Sequence, residues 1–109
     1  MPSENDFVNV ETKKKGIEAF LESLRNKSSG INHLTVLQNS VLSNVRERDL
    51  TYSDVRALPD DVEEAINNHY SYTKEEDREK TMTAVYAFVG VVLDGHTTKE
   101  ESRDKGLSI

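Results

Sequence analysis

The run Met82-Thr-Ala-Val-Tyr-Ala-Phe-Val-Gly-Val-Val-Leu93 decides the fold. Coiled as a helix, it carries apolar side chains on almost every face, and a helix of that kind belongs in the middle of a protein rather than on its surface. Val85, Val89, Val91 and Val92 would suit a strand equally well, because β-branched side chains fit a pleated surface. The flanks arbitrate. Thr73 and Glu76 have the T-x-x-E spacing of a capping box, and Lys74 to Lys80 is charged on all sides, as the exposed opening turns of a helix would be. Ala84 and Ala87 add helix propensity. The reading is one long helix, closed by Asp94 and Gly95. Gly90 inside it costs about 1 kcal/mol relative to Ala, so it is expected to mark a close crossing with a neighbouring helix. The apolar stretch from Ala84 to Leu93 falls well short of the ~20 residues that span a bilayer.

Working outward, Ile17, Phe20, Leu21 and Leu24 form one apolar stripe at helical spacing, with Lys13, Lys14, Lys15, Arg25 and Lys27 off it. Ser28, Ser29 and Gly30 stop this first helix. Leu34, Leu37, Val41 and Val45 define a second, from about Asn32 to Arg48, whose closing arginines complement the negative pole of the helix dipole. Thr51 or Ser53 can cap a short third helix that ends near Leu58. Pro59 disfavours helical geometry at the residue before it and suits a first turn, so a fourth helix is expected from Pro59 to His69, with Val62, Ala65 and Ile66 inward.

The fold class is therefore all-α: a small antiparallel bundle of four to five helices around a long, centrally buried last helix. Residues 1–9 read as a flexible arm, 10–95 as the bundle, and 96–109 as a flexible or weakly helical tail. Composition agrees with one modest core: Leu, Ile, Val and Phe make up 27 of 109 residues, above the roughly 20% below which a charged chain reads as disordered.

Charge and composition remove several functions. The formal net charge is −6, which is unfavourable for affinity that rests on phosphate contacts. The chain has no cysteine, so disulfides, thiolate metal sites and cysteine nucleophiles are excluded together. The first ten residues have neither a basic nor an apolar leader segment, and a cytoplasmic location is expected. There is no G-x-S-x-G elbow and no Gly-rich phosphate loop, so no catalytic residue and no cofactor are expected.

The remaining candidates are weak for stated reasons. His33, His69 and His96 lack companions at ligand spacing, and a metal site needs several converging ligands. Asn32-His33-Leu34-Thr35-Val36-Leu37-Gln38 resembles in part the phospho-accepting helix of histidine phosphotransfer domains, which are helical bundles of about this size. The resemblance would make His33 a phosphoryl acceptor, but Thr35 and Val36 depart from the family's small-residue and lysine positions, which puts that role in doubt. Asp54, Asp60, Asp61, Glu63 and Glu64 lack the glycine of a calcium loop and fit carboxylates at a helix start. Residues 53–69 could form a helix-turn-helix, but its recognition helix, Asp60 to His69, would present Asp60, Asp61, Glu63 and Glu64 to phosphate. The cations of the first helix are interleaved with Glu11, Glu18 and Glu22.

What survives is a small acidic protein-interaction or regulatory module without catalytic activity. Tyr70 and Tyr72, on a connection, suit a partner contact. Val85, Phe88, Val89 and Val92 are expected to be apolar surplus that a protein partner or a second copy covers, so a homodimer is expected. The alternatives are a DNA-binding regulator of helix-turn-helix type and an acidic inhibitor or decoy from a mobile element or phage. Nucleic-acid binding is disfavoured, and no membrane or metal partner is expected.

Overall fold

Met82–Leu93 is helical throughout. In the computed structural model, which describes residues 5–26 and 34–108 with side-chain detail for 5–25 and 34–94, the run lies inside α4 (Glu75–Ser108). Three further helices precede it: α1 (Val10–Asn26), α2 (Thr35–Glu47) and α3 (Tyr52–His69). No helix among the described residues is long and apolar enough to cross a membrane. α4 packs against both α1 and α3, so the last helix is the axis of a small all-α bundle. Its backbone stays helical to Ser108, through residues that the sequence treats as a separate tail.

The inward face of α4 is Thr81, Ala84, Val85, Phe88 and Val92, spaced by three and four. Met82, Val89 and Leu93 flank it, half-buried against the same core. α1 meets this face with Phe20 buried and Ile17, Leu21 and Leu24 packed beside it. The two helices approach most closely at Gly16. A Cβ there would stand 2.7 Å from Phe88 Cδ1 and 2.8 Å from Val92 Cγ2. The crossing expected at Gly90 is thus on the other partner: a Cβ on Gly90 would meet nothing within 4 Å. Gly90 lies on the outward side of α4 because Phe88 and Val92 claim the inward one.

α3 also departs from the sequence reading, because the two short helices expected on either side of Pro59 are one. An interior proline forfeits a backbone hydrogen bond and costs about 3 kcal/mol. Burial outweighs it here: Tyr52, Val55, Pro59, Val62 and Ile66 are all buried, at alternating spacings of three and four that run through the proline in phase. Four fully buried apolar side chains at roughly 1.5–3 kcal/mol each exceed the cost of the break.

The ends are tied by polar contacts. Asn9 Oδ1 accepts from the backbone N–H of Glu11 at 2.7 Å and starts α1. Thr51 starts α3 through a reciprocal capping box with Asp54. Thr73, expected to cap α4, stands just ahead of its first turn, and its hydroxyl donates to the Tyr70 carbonyl at 2.7 Å. Arg78 Nη2 donates to Asn67 Oδ1 at 2.6 Å and joins α4 to the end of α3. Inside, Gln38 Nε2 donates to Thr81 Oγ1 at 2.7 Å, a buried link between α2 and α4.

Part of the expected arm is docked. The Val8 N–H donates to the Leu50 carbonyl at 2.7 Å, and the Tyr52 N–H donates to the Asp6 carbonyl at 3.1 Å. Val8 itself is buried. Residues 1–4 lie outside the described residues, as do Ser28–Gly30, which were expected to stop α1.

The two glycines predict substitutions of opposite sign. Gly16→Ala forces a methyl into buried Phe88 and Val92 and should destabilise by about 1–3 kcal/mol, as overpacking does. Gly90→Ala adds a methyl in open space inside a helix and should stabilise by about 0.5–1 kcal/mol. Urea unfolding of both variants checks the pair. Equal effects would mean that α1 and α4 do not cross at Gly16.

Candidate functional site

From the link at residues 48–51, α2 and α3 run back beside each other without pairing as closely as α1 does with α4. The gap is a groove of about 230 Å3. Its apolar surface comes from Leu37, Val41 and Val45 on α2, Leu50 on the link, and Val55, Leu58, Val62 and Ala65 on α3. Ser40, Asn44, Arg48, Asp54, Ala57 and Asp61 form its lips and closed end. The helices are placed this way by their own stripes. Val41 and Val45 of α2, and Val55 and Val62 of α3, point into the common core, and the side chains next to them on each helix are left facing one another.

The closed end is held from several sides. The Thr51 hydroxyl accepts from the Asp54 N–H at 3.1 Å, and the Asp54 carboxylate accepts from the Thr51 N–H at 3.0 Å. That backbone hydrogen bond is the largest influence on Asp54 and lowers its pKa. Burial pushes it up by less, and the Thr51 side chain and the Arg48 charge lower it further, so its carboxyl lies below the ordinary aspartate range. Lys13 Nζ donates to the Arg48 carbonyl at 3.0 Å, placing a cation on the C-terminal end of α2, where the dipole favours it.

The two lips differ. From Thr35 to Val45, α2 has no Asp, Glu, Lys or Arg, in a chain where 31% of residues are charged. Val36, Asn39, Ser40, Ser43 and Asn44 are nonetheless exposed there. α3 answers with exposed Asp60, Asp61, Glu63 and Glu64. Depletion of charge is the compositional mark of an interface centre, and the gap was legible in the sequence as the uninterrupted neutral stretch from Ser28 to Val45.

The residues expected to bind a partner scatter. Val85, Phe88 and Val92 are core: α1 and α3 already cover them, and no partner reaches them in the folded chain. Val89 is half-buried at the core edge. Tyr70 plugs the end of the bundle, half-buried, whereas Tyr72 is 70% exposed. The α4 surface left outward is Tyr86, Gly90 and Val91. His69 is exposed on α3, and His33 and the side chain of His96 lie outside the described ones. No group of three or more His, Asp or Glu side chains that could hold a metal ion converges among the described residues. The two helices of the helix-turn-helix reading are the single α3.

No protein-family model, curated protein or solved structure matches the chain.

The capping box predicts a pH effect as well as a mutational one. Thr51→Ala should lower stability by about 1 kcal/mol at neutral pH. A carboxyl whose folded pKa is depressed contributes in full above its unfolded value and loses that contribution as pH falls through the folded one. Wild type should therefore lose more stability on acidification below about pH 4 than Asp54→Asn does. Denaturant melts across that range check it, and parallel acid limbs would exclude Asp54 as a contributor.

Proposed function

We propose that the chain is a non-catalytic protein-interaction module whose binding face is the groove between α2 and α3. One observation carries the reading: an apolar trough lies open between two helices, and one of its walls is free of charge for three turns. The volume points to a macromolecular ligand. At about 230 Å3 the groove is smaller than the roughly 300–1,000 Å3 of small-molecule sites, but it suits a row of inserted side chains. An amphipathic helix laid in a hydrophobic groove is a recurrent way to fill such a site.

Self-association is the second reading, favoured by the outward strip of α4. Tyr86 is 57% and Val91 36% exposed, and Gly90 beside them lets another backbone approach. It ranks second on size, since a stable interface buries about 1,200–2,000 Å2 in total and this strip offers three residues. The DNA-binding alternative has less support, because α3 is continuous and acidic and Lys13 is engaged with the end of α2.

Ser40→Tyr with Ala57→Tyr would fill the groove from its exposed lips and leave the core untouched. A partner recovered with the wild-type chain should be lost with this variant and kept with Tyr86→Ser, with circular dichroism confirming both folds. Recovery unaffected by filling the groove would reject the reading. For self-association, sedimentation at high micromolar concentration should give a dimer that Tyr86→Lys returns to monomer. A wild-type monomer would remove that reading and leave the groove untouched.

A further inference from the structure

Resting on the groove reading, we infer that the occupant is an amphipathic helix of about three turns, with an aliphatic edge flanked by lysine or arginine on the α3 side only. Length comes from the walls. Leu37 to Arg48 on α2 and Asp54 to Ala65 on α3 line the groove, and each stretch spans roughly 17 Å at 1.5 Å per residue. A guest helix of about the same number of residues fills it end to end, with anchors at i, i+3 or i+4, and i+7 set against the half-buried Leu58, Leu37 and Ala65.

Charge sets which flank of the guest carries its cations. At the closed end the lining carries one charge of each sign, Arg48 and Asp54, so neither sign of guest is favoured there. Further along, the α3 lip carries Asp61 in the groove wall and exposed Glu64 one turn on. The α2 lip offers Ser40 and Asn44 and no counter-ion. A cation on the α3 side of the guest therefore meets two carboxylates. The same cation on the α2 side loses water without gaining an opposite charge, which is unfavourable. An acidic guest is repelled where its α3 edge meets Asp61 and Glu64.

A second copy of the chain does not fit this description. α1 combines aliphatic residues with lysines, but Ile17, Leu21 and Leu24 are already packed against its own core. α3 of a second copy would bring Asp61 and Glu64 against their own kind. With α1 and α3 of a second copy set aside, the guest proposed is a segment of a different protein.

Three synthetic peptides test this against the full-length 15N-labelled chain. One has leucines at the anchor spacing and lysines along one flank, the second has glutamates in place of the lysines, and the third has the composition of the first in scrambled order. The lysine peptide should shift amide signals along 37–48 and 54–65. It should bind on the order of tenfold more tightly than the glutamate peptide at low ionic strength, with the difference shrinking as salt is added. Asp61→Lys with Glu64→Lys should reverse the preference, and the milder Asp61→Asn with Glu64→Gln should abolish it. If both peptides bind in the groove equally, the charge inference is overturned and the groove reading stands. If the lysine peptide binds no better than its scrambled form, or shifts signals elsewhere, a helical guest is excluded, and the groove-filling variant above still judges the module on its own.

Discussion

The contact between Gly16 and the Phe88–Val92 pair sets the position of every other element. Because residue 16 has no side chain, α1 can lie directly on the α4 surface, and Phe88 occupies the space a Cβ would need. Close packing of this kind excludes water from both inner faces and maximises dispersion contacts, which decline steeply with small gaps. With α1 fixed on one side of α4 and α3 on another, α2 is positioned by what remains: a short link to α3 and the buried Gln38–Thr81 hydrogen bond. That bond constrains rotation of α2, since turning the helix would leave a buried amide and hydroxyl unsatisfied, at a cost of about 1–3 kcal/mol.

The groove follows from this arrangement. α2 reaches the core through Leu34, Gln38, Val41 and Val45, a stripe narrow enough that Leu37 is only half-covered. α3 spends its inward stripe on the core as well, leaving Leu58 and Ala65 at the side. Two helices that each commit one face to a shared axis leave an angle between them, and here the angle is lined by aliphatic residues of which Leu37, Leu58 and Ala65 stay half-buried.

Much of the architecture was legible in the sequence. The helical period of α1 and α2 and the helical reading of the apolar run in α4 follow from local rules and hold, and of the two caps offered for α3, Thr51 and Ser53, the structure takes Thr51. The misreadings share a cause. Pro59 was read by its backbone preference, although Tyr52, Val55, Val62 and Ile66 on either side of it keep one continuous phase, and the burial of that stripe outweighs a lost hydrogen bond. Gly90 was read as a crossing point because it interrupts an apolar run, whereas the crossing needs a glycine that faces the partner, and only tertiary placement says that this is Gly16. Val85, Phe88 and Val92 looked like surplus because the covering capacity of α1 and α3 cannot be counted from periodicity. The groove is marked by missing charge on α2 rather than by any motif, and a neutral stretch alone does not say which neighbour it faces.

The two backbone hydrogen bonds between Asp6–Val8 and Leu50–Tyr52 bear on how the molecule assembles and breathes. They join segments about forty residues apart, and closing a loop of that length has an entropic cost that grows with the logarithm of its length. The clasp is held by two backbone hydrogen bonds and the small buried side chain of Val8 rather than by a packed helix face, so it ranks among the first contacts to release in the native state. Its release would loosen the hinge from which α2 and α3 diverge while the Gly16 crossing stays shut. A local opening of this kind runs on a faster clock than global unfolding, and it would let the mouth of the groove widen and narrow with the N-terminal segment as its drawstring.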